Sequence, residues 1–148
     1  MSKKPRIRIQ TDGGGIPKRN GEGIAFGYII YVDNQEMMRG SNYRLGEELT
    51  SNDAEYLGVL IGVMALYASG IYKNAKIVEV ETDSKLVVGQ VTGTFKVKKK
   101  KFRPMLAVLD VITTMIAAES GTKLKFKHIP RKRNKADTVI RKGMDSVI

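Results

Sequence analysis

The sequence predicts an α/β fold: a five-stranded mixed sheet, with an antiparallel meander first and βα units after it, and helices on both faces. Three observations lead there. Strand-like segments follow one another up to residue 46, apolar spacing changes to that of a helix after Thr50, and strand and helix patterns alternate from there on. Neighbouring strands in series give the meander, and the later alternation gives the crossovers of a mixed sheet.

Residues 6–12, RIRIQTD, alternate apolar and polar and form the first strand. The stretch GGGIPKRNGEG reads as a loop, and GIAFGYIIYV at 23–32, rich in aromatic and β-branched residues, as the second strand. Asp33, Asn34 and Gln35 supply a tight turn, after which EMMRGSNYRLG at 36–46 returns as the third. A helix spans 54–68, with Leu57, Leu60, Ile61, Met64 and Ala68 on its apolar face and Ser69-Gly70 closing it. KIVEVET at 76–82 is the fourth strand, and DSKLVVGQVTG a short helix starting at Asp83. Leu106, Leu109, Val111, Ile112 and Ile116 predict a helix over 104–118, KLKFKHI after Gly121 is the fifth strand, and the tail from Asn134 is a last helix. The 148 residues suffice for one domain, 1–148, with a core of its own.

Charge points to the partner. The formal net charge is +11, from 26 Lys and Arg against 15 Asp and Glu, so a polyanion is expected, nucleic acid first. The apolar runs are short and interrupted, which excludes a membrane span, and no helix invites a protein partner, so a monomer is expected. With no cysteine there is no disulfide, thiolate metal site or cysteine nucleophile. The basic N-terminus precedes no apolar signal region, so the expected setting is intracellular, in the cytoplasm.

Against that basic background four acids sit at the ends of predicted elements: Asp12, Glu55, Asp83 and Asp137. Each has a local reading. Asp12 suits a turn, Glu55 the distal half of a capping box with Asn52, Asp83 a helix N-cap, and Asp137 the positive end of a helix dipole. Together they read differently, because strand C-termini and the helix N-termini that follow gather at one sheet edge. Carboxylates gathered there repel one another unless cations join them, and hard divalent ions with oxygen ligands, Mg²⁺ or Mn²⁺, are the natural occupants. The single histidine and the lack of cysteine argue against zinc.

The blocks TDGG at 11–14, TSNDAEYLGVL at 50–60, ETDSKLVVGQVTGTFKVK at 81–98 and HIPRKRNKAD at 128–137 resemble, in order, the signatures of type I ribonuclease H, in a compact form without a full basic-handle helix. The resemblance covers about residues 6–145 and implies the ribonuclease H-like fold. It also implies an endonuclease that cuts the RNA strand of RNA–DNA hybrids with two Mg²⁺ ions, Mn²⁺ being a possible substitute. In such a hydrolysis one ion activates water and the other stabilises the departing oxygen, the two about 3.5–4 Å apart. Asp12, Glu55, Asp83 and Asp137 match the metal-binding acids, His128 a histidine that assists turnover, and Asn52 an asparagine that holds the hybrid. Gly13 and Gly14 match positions where backbone approaches nucleic acid, and Gly15 extends that stretch without a Cβ, leaving main-chain groups open to a ribose 2′-hydroxyl. The fourth block departs from the pattern: Asn134 and Asp137 stand one position closer than is usual, with Asp145 the other acid further along the tail. Block two has Ser51 where an asparagine is common.

The basic segments complete the expected site. Lys96, Lys98, Lys99, Lys100, Lys101 and Arg103 alternate with Phe95, Val97 and Phe102, while Arg131 and Arg133 lie in the RKRNK stretch. Such runs contact phosphates without reading sequence. Two other readings stay open: a related nuclease acting on DNA, or a basic RNA- or hybrid-binding domain weakened in catalysis by the altered last helix.

Overall fold

The structure, a computed structural model, describes residues 4–16, 23–46 and 48–145. The middle of the expected glycine-rich loop, 17–22, and the first three residues, including Lys3, lie outside them. Five strands, β1 (Ile7–Gly15), β2 (Gly23–Val32), β3 (Gln35–Leu45), β4 (Ile77–Thr82) and β5 (Lys123–His128), form one sheet in the order β3-β2-β1-β4-β5. The first three make the antiparallel meander, and β4 and β5 add parallel strands beside β1. Asp33 and Asn34 both adopt left-handed backbone angles, as a two-residue hairpin turn requires, and the Asp33 side chain accepts a bond from the Arg6 N–H at 3.0 Å.

Helices α1 (Ser51–Ser69), α2 (Lys85–Val91), α3 (Arg103–Ser120) and α4 (Ala136–Asp145) follow. Alternation along β1 and β2 divides the sheet into two faces. Ile7, Ile9 and Ile30 pack with Val59, Val63 and Leu66 of α1 and with Leu109 and Ile116 of α3, while Ala25 packs with Ile140 of α4 on the other face. Burying each large aliphatic side chain contributes about 1.5–3 kcal/mol, so the first face supplies most of the stability.

Four expectations are corrected. The three glycines are not a loop: β1 continues through Gly15, with Gly14 paired to Ala25 and Gly15 to Ile24. The apolar face of α1 is turned from the one expected; Met64 and Ala68 are exposed, and the helix buries Ala54, Tyr56, Gly58, Val59, Gly62, Val63 and Leu66. Small residues line the seam because the helix lies almost on the strand. A Cβ on Gly58 would stand 2.6 Å from the Asp12 carbonyl oxygen, and one on Gly13 would stand 2.3 Å from the Ala54 backbone. The short helix begins after Asp83, capped by the Ser84 hydroxyl, which accepts the Val87 N–H at 3.2 Å. Finally, α3 buries only Leu109 and Ile116 and leaves Val108, Val111 and Met115 exposed, an apolar helix surface that the pattern alone did not reveal.

Glycine inside a helix costs about 1 kcal/mol relative to alanine, so Gly58→Ala in open space would stabilise. Here overpacking wins, and the expected outcome in urea denaturation is a loss of about 1–3 kcal/mol.

Candidate active site

The parallel pairing of β1, β4 and β5 brings their C-terminal ends to one edge. Thr11 pairs with Thr82, and Thr82 with His128, so Asp12 and Asp83 each follow a paired threonine. The first turn of α1 delivers the third acid. Its capping box uses Thr50 and Asp53, not Asn52 and Glu55: the Asp53 carboxylate accepts the Thr50 N–H at 2.7 Å. Glu55 is thereby left without a capping duty. One carboxylate oxygen from each of Asp12, Glu55 and Asp83 lies within 4.8 Å of the others.

Burial and crowding act on all three. Asp12 is pushed up to about 7, first by burial and then by the Asp83 charge. Glu55 is pushed up to about 9 by burial, with Asp12 and Asp83 adding to it. Asp83 is raised mainly by burial, opposed by Arg131, His128 and a hydrogen bond from Asn134. Glu55 Oε2 is buried and accepts no hydrogen bond. A cluster of hard oxygen donors that resists ionisation and leaves a buried acceptor unused fits a divalent cation.

The trio opens into a cleft of about 510 Å³ lined also by Gly13, Gly14, Gly15, Ser51, His128, Arg131 and Asp137. Asp137, on the first turn of α4, faces this cleft but stands outside the close trio and pairs with Arg141 at 3.0 Å. An exposed i,i+4 pair contributes only about 0.3–0.5 kcal/mol, so it holds Asp137 weakly. The Asp145 side chain lies outside the described residues. His128 is exposed at the end of β5. Nothing lies within 4 Å of a Cβ built on Gly14 or Gly15, whereas the bare side of Gly13 is taken by Ala54.

The basic residues divide. Asn52, Lys96, Lys98 and Lys99 line a separate groove with Phe95 and Gln90, and Lys100 and Arg103 are exposed beside it. Lys101 does not join them freely: its ammonium is 2.8 Å from the buried Asp53 carboxylate, which locks the basic run to the first turn of α1. Phe102 stacks on Tyr56 at 4.8 Å, and the Tyr56 hydroxyl donates to Gln90, whose amide donates to the Lys96 carbonyl at 3.2 Å. Arg133 does not line the acid cleft but a neighbouring cavity that shares His128 and Pro130 with it.

Two supports escaped the sequence reading. The Asn134 amide donates to the Thr11 carbonyl at 2.7 Å, and Gln10 donates to Glu81 at 3.1 Å while its carbonyl accepts the Lys135 N–H at 3.0 Å. These bonds stitch the start of the last helix to β1. Their only sequence signal is a run of polar residues on one side of an otherwise apolar strand.

Because the folded state raises these carboxyl pKa values, their contribution to stability is complete below the unfolded values near 4 and is lost as pH rises through about 7 and about 9. In chelator, thermal melts are expected to fall by roughly 5 °C or more between mildly acidic and mildly alkaline pH. Mg²⁺ should restore the loss, and Asp12→Asn should flatten it.

Comparison with known proteins agrees with this architecture. A family model described as reverse transcriptase-like matches residues 10–142. The bifunctional protein Rv2228c of Mycobacterium tuberculosis is 31% identical over 144 residues, which are 95% of this chain and 36% of the relative. The chain thus spans about a third of the length of the curated relatives it matches. Among solved structures, LC11-RNase H1 in complex with an RNA/DNA hybrid, a protein isolated from compost, has a TM-score of 0.78 at 29% identity, covering 96% of this chain and 99% of that one. RNase H1 of the halophilic archaeon Halobacterium salinarum NRC-1 shares the fold at a TM-score of 0.78 and 23% identity, over 95% and 98% of the two chains. By the span of the family match and the five-stranded mixed sheet, the chain belongs to the reverse transcriptase-like family and carries the ribonuclease H fold.

Proposed function

We propose that this protein is an endonuclease that hydrolyses the RNA strand of RNA–DNA hybrids, with two Mg²⁺ ions (or Mn²⁺) and little sequence preference, acting as an intracellular monomer. The observation that carries the proposal is the set of three carboxylate oxygens within 4.8 Å, next to the open space beside Gly14 and Gly15. The hybrid bound by LC11-RNase H1 supports the substrate class.

Asp12, Glu55 and Asp83 would hold the ions, with Asp137 available from the cleft wall. When bound, the ions supply an activated water and neutralise charge at the phosphodiester. The protein's own groups do the rest. Asp12, the buried member of the trio, would be a shared ligand of that metal site. Arg131, close enough to depress both Asp12 and Asp83, offers a cation to the substrate phosphate. His128, exposed in the cleft lining, is placed to assist turnover. With no Cβ and nothing within 4 Å of where one would stand, Gly14 and Gly15 leave room for the ribose of an RNA strand, whose 2′-hydroxyl separates RNA from DNA, to lie against the strand. Lys96, Lys98 and Lys99 with Asn52 would hold the companion strand through its phosphates.

The test is cleavage of an end-labelled hybrid beside matched RNA duplex, DNA duplex and single-stranded RNA, with and without Mg²⁺. Metal-dependent cutting of the hybrid alone is expected, falling at least about 100-fold in Asp12→Asn. His128→Ala should slow turnover without abolishing it, and Gly14→Ala should weaken hybrid binding while leaving the melting temperature unchanged. Tight hybrid binding that ignores metal, with no cutting, would turn the reading to a binding module.

A further inference from the structure

The cavity that holds Arg133 adjoins the cleft on the sheet face that α4 leaves bare at β4 and β5. It measures about 640 Å³ and shares His128 and Pro130 with the acid cleft. Its walls carry Arg6, Arg8, Lys127, Lys132, Arg133 and Lys135. Glu81 neutralises Arg8 at 3.0 Å, and Glu79 serves both Arg6 and Lys127, at 3.4 and 3.6 Å. Among the described residues Lys132, Arg133 and Lys135 form no ion pair, so the groove keeps an excess of positive charge. It is also built on ordered backbone, because Gln10 bonds both the Arg133 carbonyl at 3.3 Å and the Lys135 N–H at 3.0 Å.

Direction and chemistry narrow the occupant. The groove starts at the edge that holds the acids and runs down the sheet from Gln10 to Arg6, about 13 Å at strand rise. One face of Tyr31, the tyrosine of its walls, is covered by the Arg8 guanidinium at 4.9 Å, and cations outnumber aromatic rings along the groove. What remains is a row of cations suited to phosphates and indifferent to base identity.

We propose that this groove holds the phosphates of a single-stranded continuation of the RNA strand, a few nucleotides leaving the cleft beyond the hybrid. The proposal rests on the hybrid-cleaving reading of the neighbouring site. It makes the protein a preferential binder of hybrids with an RNA overhang, such as a junction between a hybrid and unpaired RNA. Lys127 and Lys132 are the points to perturb, since they border the groove and take no part in the acid cluster.

The experiment measures binding by fluorescence anisotropy, in Ca²⁺ to suppress cutting, of a blunt hybrid, hybrids with a 5′ or a 3′ RNA overhang, and hybrids with the corresponding DNA overhangs. Cleavage of the blunt hybrid in Mg²⁺ is followed in parallel. Wild type should bind one RNA-overhang hybrid at least about threefold more tightly than the blunt one, and the salt slope should be steeper by about 0.7 for each added phosphate contact. The double variant Lys127→Gln, Lys132→Gln should lose that gain while cutting the blunt hybrid as before. An absent gain, a gain that survives in the variant, or a gain confined to DNA overhangs, each with blunt cutting intact, would overturn the groove alone. No cutting of the blunt hybrid by wild type would instead remove the reading on which the groove rests.

Discussion

The site depends on how closely one helix lies against one strand. Gly58 and Gly62 of α1 leave room for the Asp12 carbonyl and for the side chains of Ile9 and Thr11, and Gly13 of β1 leaves room for the Ala54 backbone. With both partners bare at the contact, helix and strand meet backbone to backbone. That approach brings the first turn of α1 over the end of β1, and Glu55 reaches the carboxylate of Asp12 for this reason. A helix held further out by ordinary side chains would separate the two acids.

The close approach creates an electrostatic debt that the surroundings only partly offset. Three carboxylates share one edge, two of them buried enough to resist ionisation near neutral pH. Arg131 and His128 stand nearby and favour the charged form of Asp83, but Arg131 is on the cleft wall where a substrate phosphate would compete for it. The strong positive charge of the chain is placed around the acids and not among them. Such an arrangement attracts a polyanion while reserving the centre for small hard cations.

Much of this was legible in the sequence. The succession of strands and helices along the chain followed from alternation and periodicity, and the positions of Asp12, Glu55 and Asp83 at element ends followed from that succession; the β1–β4 adjacency came from the sheet itself. The buried face of α1 was not legible, because hydrophobic periodicity weighs large side chains and the true seam runs through Ala54, Gly58 and Gly62. Local capping was ambiguous because both Asn52 and Thr50 are competent caps; Thr50 and Asp53 form the box, and Lys101 joins Asp53 from 48 residues away. The Gln10, Glu81 and Asn134 bonds were equally hidden, since each joins segments distant in the chain.

The order of strands in the sheet also has a kinetic consequence. Ile7 pairs with Val78, so the central parallel contact closes a loop of roughly seventy residues. The meander can form from local contacts while the chain is still being made. The acid trio cannot, because Asp83 reaches Asp12 only once that long loop has closed. The acid cluster is therefore completed only by a long-range contact, and a partly synthesised chain holding the meander and α1 has Asp12 and Glu55 without the third acid.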